Sequence, residues 1–167
     1  LMIAPTMLGL LILNIFPIFQ TFYLSFTKTG AFGKSSFIGI QNYVDVLKDK
    51  LVMQSFINTF KYTILVVPLG VFLSLIVAVL LNSKIKGKTI YRTLFFLPVV
   101  SAPAAVAMVW RWMFNSKYGL INNFLNTIGL KGPEWLLQPN SAMIAIVIVG
   151  IWSMIGYNMI ILLAGLQ

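Results

Sequence analysis

Three hydrogen-bonding side chains lie close together in the last apolar stretch of the sequence, at Ser153, Tyr157 and Asn158. At about 100° of rotation per helical residue, they share one face with Gly150, which narrows the helix beside them. An uncharged polar and aromatic surface of this kind fits a neutral, hydroxyl-rich solute such as a sugar. It also fits a packing seam in which small residues and a hydrogen bond join two helices. The residues alone leave both interpretations open.

Side chains for enzyme or metal chemistry are scarce. The 167 residues include no His, no Cys and three acids, which are Asp45, Asp49 and Glu134. The usual pair of a nucleophile with an adjacent base cannot be assembled from them, and the commonest metal ligands are missing. All three acids lie outside the apolar stretches, so no carboxylate is placed to couple transport to protons. We expect a protein without catalytic residues, metal or cofactor, whose energy source, if it pumps a solute, lies elsewhere.

Composition places the chain among membrane proteins. It is 59% hydrophobic and 9% charged, whereas soluble domains average about 25% charged residues. Crossing a bilayer takes about 20 residues of helix, and four stretches are long and apolar enough, approximately 7–26, 62–81, 94–114 and 142–166. Backbone amides in hydrocarbon must be paired within their own segment, so we expect an all-α membrane protein forming a single domain over residues 1–167.

The two longer connectors each contain apolar residues at helical spacing, over residues 40–51 and 120–128. Such patterns predict short amphipathic helices that lie in the membrane interface. Within the third apolar stretch, Pro98 and Pro103 have two interpretations. They either kink a helix for packing alone or free backbone groups that line a cavity.

A cationic connector separates the second and third apolar stretches. Residues 82–92 contain no acid, and their basic residues are Lys84, Lys86, Lys88 and Arg92. Short loops rich in Lys and Arg stay on the cytoplasmic side, so we expect the first and third spans to run outward. The two longer connectors together hold more basic residues, but spread more thinly. The net charge of +9 is explained by such membrane flanks, and we expect no nucleic-acid partner.

Several local patterns resemble the permeases of carbohydrate-type ABC transporters, the group that includes the maltose and glycerol-phosphate permeases. The segments that carry the resemblance are FIGIQNYVDVLKD with SFINTFKYTI, LNSKIKGKTIYRTLFFLPVVSAPAAVAMVWRWMFNSKYGLINNFL, and GIWSMIGYNMIILLAGLQ. The long middle segment contains a Gly-x-x-Asn turn at Gly119 and Asn122. The last ends in Ala-Gly-Leu-Gln, which precedes the EAA loop in that family. Their order and spacing cover nearly the whole chain.

The resemblance implies an incomplete MetI-like transmembrane domain in the cytoplasmic (inner) membrane, truncated before the EAA loop. It implies a multi-pass transport subunit that is not an enzyme. The implied partners are a second permease subunit, a cytoplasmic ATPase dimer and an extracellular solute-binding protein. Ser153, Tyr157 and Asn158 are then expected to contribute to the solute pathway. Two other classes remain: an ion-coupled secondary carrier or channel lobe, and a structural membrane subunit that transports nothing.

Overall fold

The structure is a computed structural model that describes residues 3–30, 35–83 and 86–166. The elements in chain order are α1 (Ala4–Leu10), a π-helical turn (Leu11–Ile15), α2 (Phe16–Leu24), β1 (Thr27–Thr29), β2 (Ser35–Phe37), α3 (Gln41–Lys48), α4 (Lys50–Asn82), α5 (Lys88–Val100), α6 (Pro103–Met113), α7 (Leu120–Thr127) and α8 (Pro139–Gly165). The chain divides into two compact units, residues 1–58 and 59–167, with the boundary inside α4.

Within the described ranges, three helical segments are long and apolar enough to cross a membrane, namely Ala4–Leu24, Lys50–Asn82 and Pro139–Gly165. A further candidate is the pair of α5 and α6, which are bent by 100° at the break between them. The prediction of a helical, multi-span membrane protein is confirmed. It omitted the short ribbon of β1 and β2. The predicted start of the second span, residue 62, lies within α4.

The first helical segment continues past Pro17 because the helix before it widens locally into a π-helical turn. Proline has no backbone N–H and cannot bond to the carbonyl four residues before it. The helix takes the π form over Leu11–Ile15, and the N–H of Phe16 bonds to the carbonyl of Leu11. A π-turn of this kind absorbs the disruption while the segment remains helical.

The strands β1 and β2 pair antiparallel, with Thr27 opposite Phe37. Asn42 on α3 fastens this ribbon, because its Nδ2 donates to the carbonyls of Ser25 and Thr27 at 2.8 and 3.0 Å. The hydroxyl of Tyr43 lies 2.7 Å from Oγ of Ser25. These bonds pack α3 against the chain that leaves α2.

The predicted amphipathic helix over residues 40–51 is present but shorter. The backbone is extended at Asp49, which ends α3. The carboxylate of Asp49 accepts the N–H of Leu51 at 2.8 Å, an interaction typical of a residue that caps the start of a helix. Leu51 therefore belongs to α4.

In the second unit, α4 packs on α8 through small side chains. Gly70, Ser74 and Ala78 are buried and recur at every fourth residue of α4. Ala78 packs with Met159 and Leu163 of α8 in the buried core cluster. Ser74 is fully buried, and its Oγ donates to the Gly70 carbonyl at 2.6 Å. Small residues of α4 therefore face larger side chains of α8, a kind of contact that joins helices in lipid.

The break between α5 and α6 follows from Pro103, the first helical residue of α6. A proline disfavours the helical conformation in the residue before it, and both Ser101 and Ala102 have extended backbones. Pro98, in contrast, lies inside α5. The two prolines thus differ, and Pro103 is the one at which the helix is interrupted.

Candidate functional site

A cavity of about 830 Å³ lies among α4, α6 and α8 in the second unit. Its polar lining includes Tyr62 on α4, Arg111 on α6 and Ser153 on α8. Its aromatic lining includes Trp110 and Phe114, at the C-terminal end of α6. A concave surface that is mostly apolar and has a few polar groups is the usual form of a small-molecule site.

Gly150 makes room for the phenol that reaches the cavity from α4. A Cβ added at Gly150 would collide with the hydroxyl oxygen of Tyr62 and would lie 3.4 Å from Cγ1 of Val66. The absence of a side chain on α8 therefore leaves the space that the Tyr62 hydroxyl occupies. This glycine was predicted from the sequence to narrow the helix, and the structure gives the neighbour that occupies the space.

Stacked aromatic rings form one wall of the cavity. The rings of Trp110 and Phe114 lie one helical turn apart, with centroids 5.4 Å apart and planes at 22°. Trp110 also meets Trp152 of α8 edge to face at 5.5 Å, and Phe114 meets Trp135 at 5.4 Å. Phe114 is only 2% exposed. Such pairs add favourable contacts beyond the burial of area, so this wall is held from both sides.

Asn122 on α7 connects the chain segments behind this wall. Its Oδ1 accepts the indole N–H of Trp135 at 2.6 Å, and its Nδ2 donates to the carbonyls of Ser116 and Pro133 at 3.1 and 3.2 Å. The sequence marked Asn122 only as part of a family-like turn. The structure shows that Asn122 is buried, so its amide must find hydrogen-bond partners within the protein, and the sequence alone does not reveal them.

The predicted polar face of α8 does not converge on one cavity. Ser153 lines the 830 Å³ cavity together with Gly150. Asn158 lines a separate cavity of about 210 Å³ beside Val71 of α4. Tyr157 is 59% exposed. The contribution of these residues to a solute pathway stays a prediction, with Ser153 the best placed for it.

The cationic connector is described in part. Lys84 lies outside the described residues, and Lys86 is exposed. Lys88 is the first residue of α5, with its Nζ 3.5 Å from the Asn82 carbonyl. Arg92 is half-buried on α5, and its Nε is buried with no hydrogen-bond partner among the described residues. The cytoplasmic location of this connector stays a prediction.

Curated ABC transporter permeases align with essentially the whole chain. It is 34% identical over 170 residues to the sn-glycerol-3-phosphate transport system permease protein UgpA of Salmonella typhimurium, with coverage of 100% of this chain and 57% of that protein. It is 36% identical over 168 residues to the probable ABC transporter permease protein YesP of Bacillus subtilis, with coverage of 99% and 54%. The chain spans about half the length of these relatives. No protein-family model matches it.

Solved structures share the fold. A crystal structure of a bacterial ABC transporter involved in the import of the acidic polysaccharide alginate is 22% identical, with a TM-score of 0.81 and coverage of 98% of this chain and 55% of that one. A crystal structure of a bacterial alginate ABC transporter in complex with an alginate pentasaccharide-bound periplasmic protein is also 22% identical, with a TM-score of 0.79 and coverage of 98% and 54%.

Proposed function

We infer that this chain, which is homologous along its whole length to carbohydrate-type ABC permeases, lines part of the solute pathway of an ATP-driven importer. The family resemblance drawn from the sequence is confirmed, as is the fold class of a helical, multi-pass membrane permease. The relatives are named as permease proteins, which supports a transport subunit that catalyses no reaction of its own.

The observation that carries this proposal is the 830 Å³ cavity. The hydroxyls of Tyr62 and Ser153 can donate and accept hydrogen bonds, as the hydroxyls of a sugar or polyol require. The faces of Trp110 and Phe114 offer flat apolar area for the carbon-bound face of such a solute. Arg111 is the charged lining residue, and its guanidinium can donate to neutral hydroxyls as well as to anions.

A neutral sugar or polyol is the solute that we propose, in agreement with the uncharged hydroxyls of Tyr62 and Ser153 in the cavity. Its recognition would then use hydrogen bonds and stacking, without an obligatory ion pair. Anionic solutes must be compared with neutral ones, since one relative is named for glycerol phosphate and the similar solved structures for the acidic polysaccharide alginate. Competition by anionic analogues belongs in any test of specificity.

The proposed partners are a second permease subunit, a cytoplasmic ATPase dimer and an extracellular solute-binding protein. The described apolar helices contain no Asp or Glu at mid-depth, so coupling to an ion gradient lacks its usual side chains. An ATPase partner supplies the energy in this proposal, and solute moves because its affinity differs between two states of the pathway. A complex with a solute-loaded periplasmic protein is named for the neighbouring alginate transporter.

Reconstitution of the full-length protein with these partners in liposomes tests the proposal. We expect uptake of a labelled sugar that requires both ATP and the binding protein. The 167 residues contain no Cys, so Ser153→Cys, in a full-length transporter whose other cysteines have been replaced, gives a single reporter in the cavity. The transported sugar should slow its labelling by a maleimide. Uptake driven by a proton gradient without nucleotide would reject the importer. Labelling that no transported sugar slows would exclude this cavity from the pathway.

A further inference from the structure

We propose that Asn122 is a positioning residue that holds the aromatic wall of the 830 Å³ cavity in place through Trp135. The effect of Asn122 on transport rests on the proposed function, whereas its effect on the position of the aromatic wall does not. The inference concerns residues of the second unit alone.

Both polar atoms of the Asn122 side-chain amide have hydrogen-bond partners. Both hydrogens of Nδ2 meet carbonyls, those of Ser116 and Pro133, and Oδ1 accepts the indole N–H of Trp135. Asn122 is 4% exposed, so water cannot easily replace a lost partner. A Cβ added at Gly132 would collide with this amide. Gly132 thus leaves space for the Asn122 amide on one side, and Ser116, Pro133 and Trp135 form hydrogen bonds with it on the others.

The bonded indole supports the cavity wall directly. The ring of Trp135 packs on Phe114 at 5.4 Å, and Phe114 stacks on Trp110 at 5.4 Å. Both Phe114 and Trp110 line the cavity. The hydrogen bond between Trp135 and Asn122 thus lies one ring contact away from the lining.

The connector that contains Trp135 is also tied to the start of α8. The hydroxyl of Ser141 donates to the carbonyls of Glu134 and Gln138 at 3.0 and 3.2 Å. Trp135 is consequently held by α7 on one side and by α8 on the other.

Helix α6 needs such support because it is not continuous with α5. The extended backbone at Ser101 and Ala102 interrupts the helix, so the direction of α6 is not dictated by the helix before it. Its C-terminal end passes through Phe114 into the segment that Asn122 bonds. Removing that bond should change where α6 lies more than it changes whether the protein folds.

Trp135→Phe is the sharpest test. It keeps an aromatic ring against Phe114 but removes the indole N–H and leaves Oδ1 of Asn122 without its donor. Asn122→Leu, of similar volume, removes all three bonds. Asn126→Leu is the matched control, since Asn126 is an exposed residue of the same helix. Ala107→Cys, on the cavity face of α6, reports position through its rate of labelling by a membrane-impermeant maleimide in the full-length, assembled transporter, with all other cysteines of the assembly replaced.

We expect Trp135→Phe and Asn122→Leu to change the labelling rate at Ala107→Cys by about three-fold or more, while Asn126→Leu leaves it unchanged. Assembly with the ATPase should persist in Trp135→Phe. We also expect a rise of about five-fold in KM for uptake with a smaller change in kcat. An unchanged labelling rate in an assembled Trp135→Phe protein would overturn the inference. A changed labelling rate with unaltered KM would uphold the positioning role and count against the cavity as the solute pathway.

Discussion

Gly156 of α8 lies directly against the backbone carbonyl of Phe95 on α5. A Cβ at this position would collide with the carbonyl oxygen and would lie 3.3 Å from Cα of Phe96. Both obstacles are backbone atoms, which cannot rotate away as the end of a side chain can. The two helices therefore approach as closely as their main chains permit, and the glycine is required for that approach.

Gly156→Ala should destabilise the protein. The added methyl must push α5 and α8 apart, and overpacking of this kind typically costs about 1–3 kcal/mol. The measurement is the apparent Tm in detergent, followed by size-exclusion chromatography after heating. Gly165→Ala is the matched control, because nothing lies within 4 Å of a Cβ added at Gly165 on the same helix. Equal Tm values for the two variants would show that the close approach is not required.

The close contact between Gly150 and Tyr62 predicts a rescue. Gly150→Ala should lower solute uptake by displacing the Tyr62 hydroxyl, with which the new Cβ would collide. Adding Tyr62→Phe removes the colliding atom, so the double variant should be closer to Tyr62→Phe alone than additivity allows. The coupling energy between the two positions follows from the uptake rates of four proteins: the unmodified protein, the two single variants and the double variant. Each rate is normalised to the amount of assembled complex. Simple additivity would mean that the two residues do not share this space.

How much of this arrangement the sequence could predict depends on the range of the interactions. The apolar stretches had to be helices, because lipid offers no partner for free backbone amides. The break before Pro103 is also local, although the sequence left its consequence open. The cavity could not be predicted in this way, because Tyr62, Trp110 and Ser153 come from three different helices. The hydrophobic pattern of one helix does not show which of its sides faces another helix. Asn122 was hidden for a similar reason, as the partners that define its role lie at Ser116, Pro133 and Trp135.

Ser153 and Asn158 should differ in their effects on transport. Ser153→Leu adds apolar volume to the 830 Å³ cavity, whereas Asn158→Leu alters the separate cavity of about 210 Å³ beside Val71. We expect about a ten-fold or greater loss of uptake for Ser153→Leu and a smaller loss for Asn158→Leu, with assembly on the ATPase intact in both. Uptake and the recovered amount of complex are measured together. A loss of complex that parallels the loss of uptake would favour the packing-seam interpretation of this helix face.

The cationic connector predicts the orientation of the spans, and charge reversal tests it. Replacing Lys84, Lys86 and Lys88 with Glu removes most of the basic residues of this short loop, and basic residues rather than acids set which side a loop stays on. We expect a mixed topology, measured with reporter fusions or with accessibility of an engineered Cys in the loop to an impermeant reagent. Reversal of Lys117 and Lys131, in a connector expected on the outside, is the control and should leave the orientation unchanged. The opposite pattern, with the control pair altering topology and the loop lysines without effect, would place residues 82–92 on the external side.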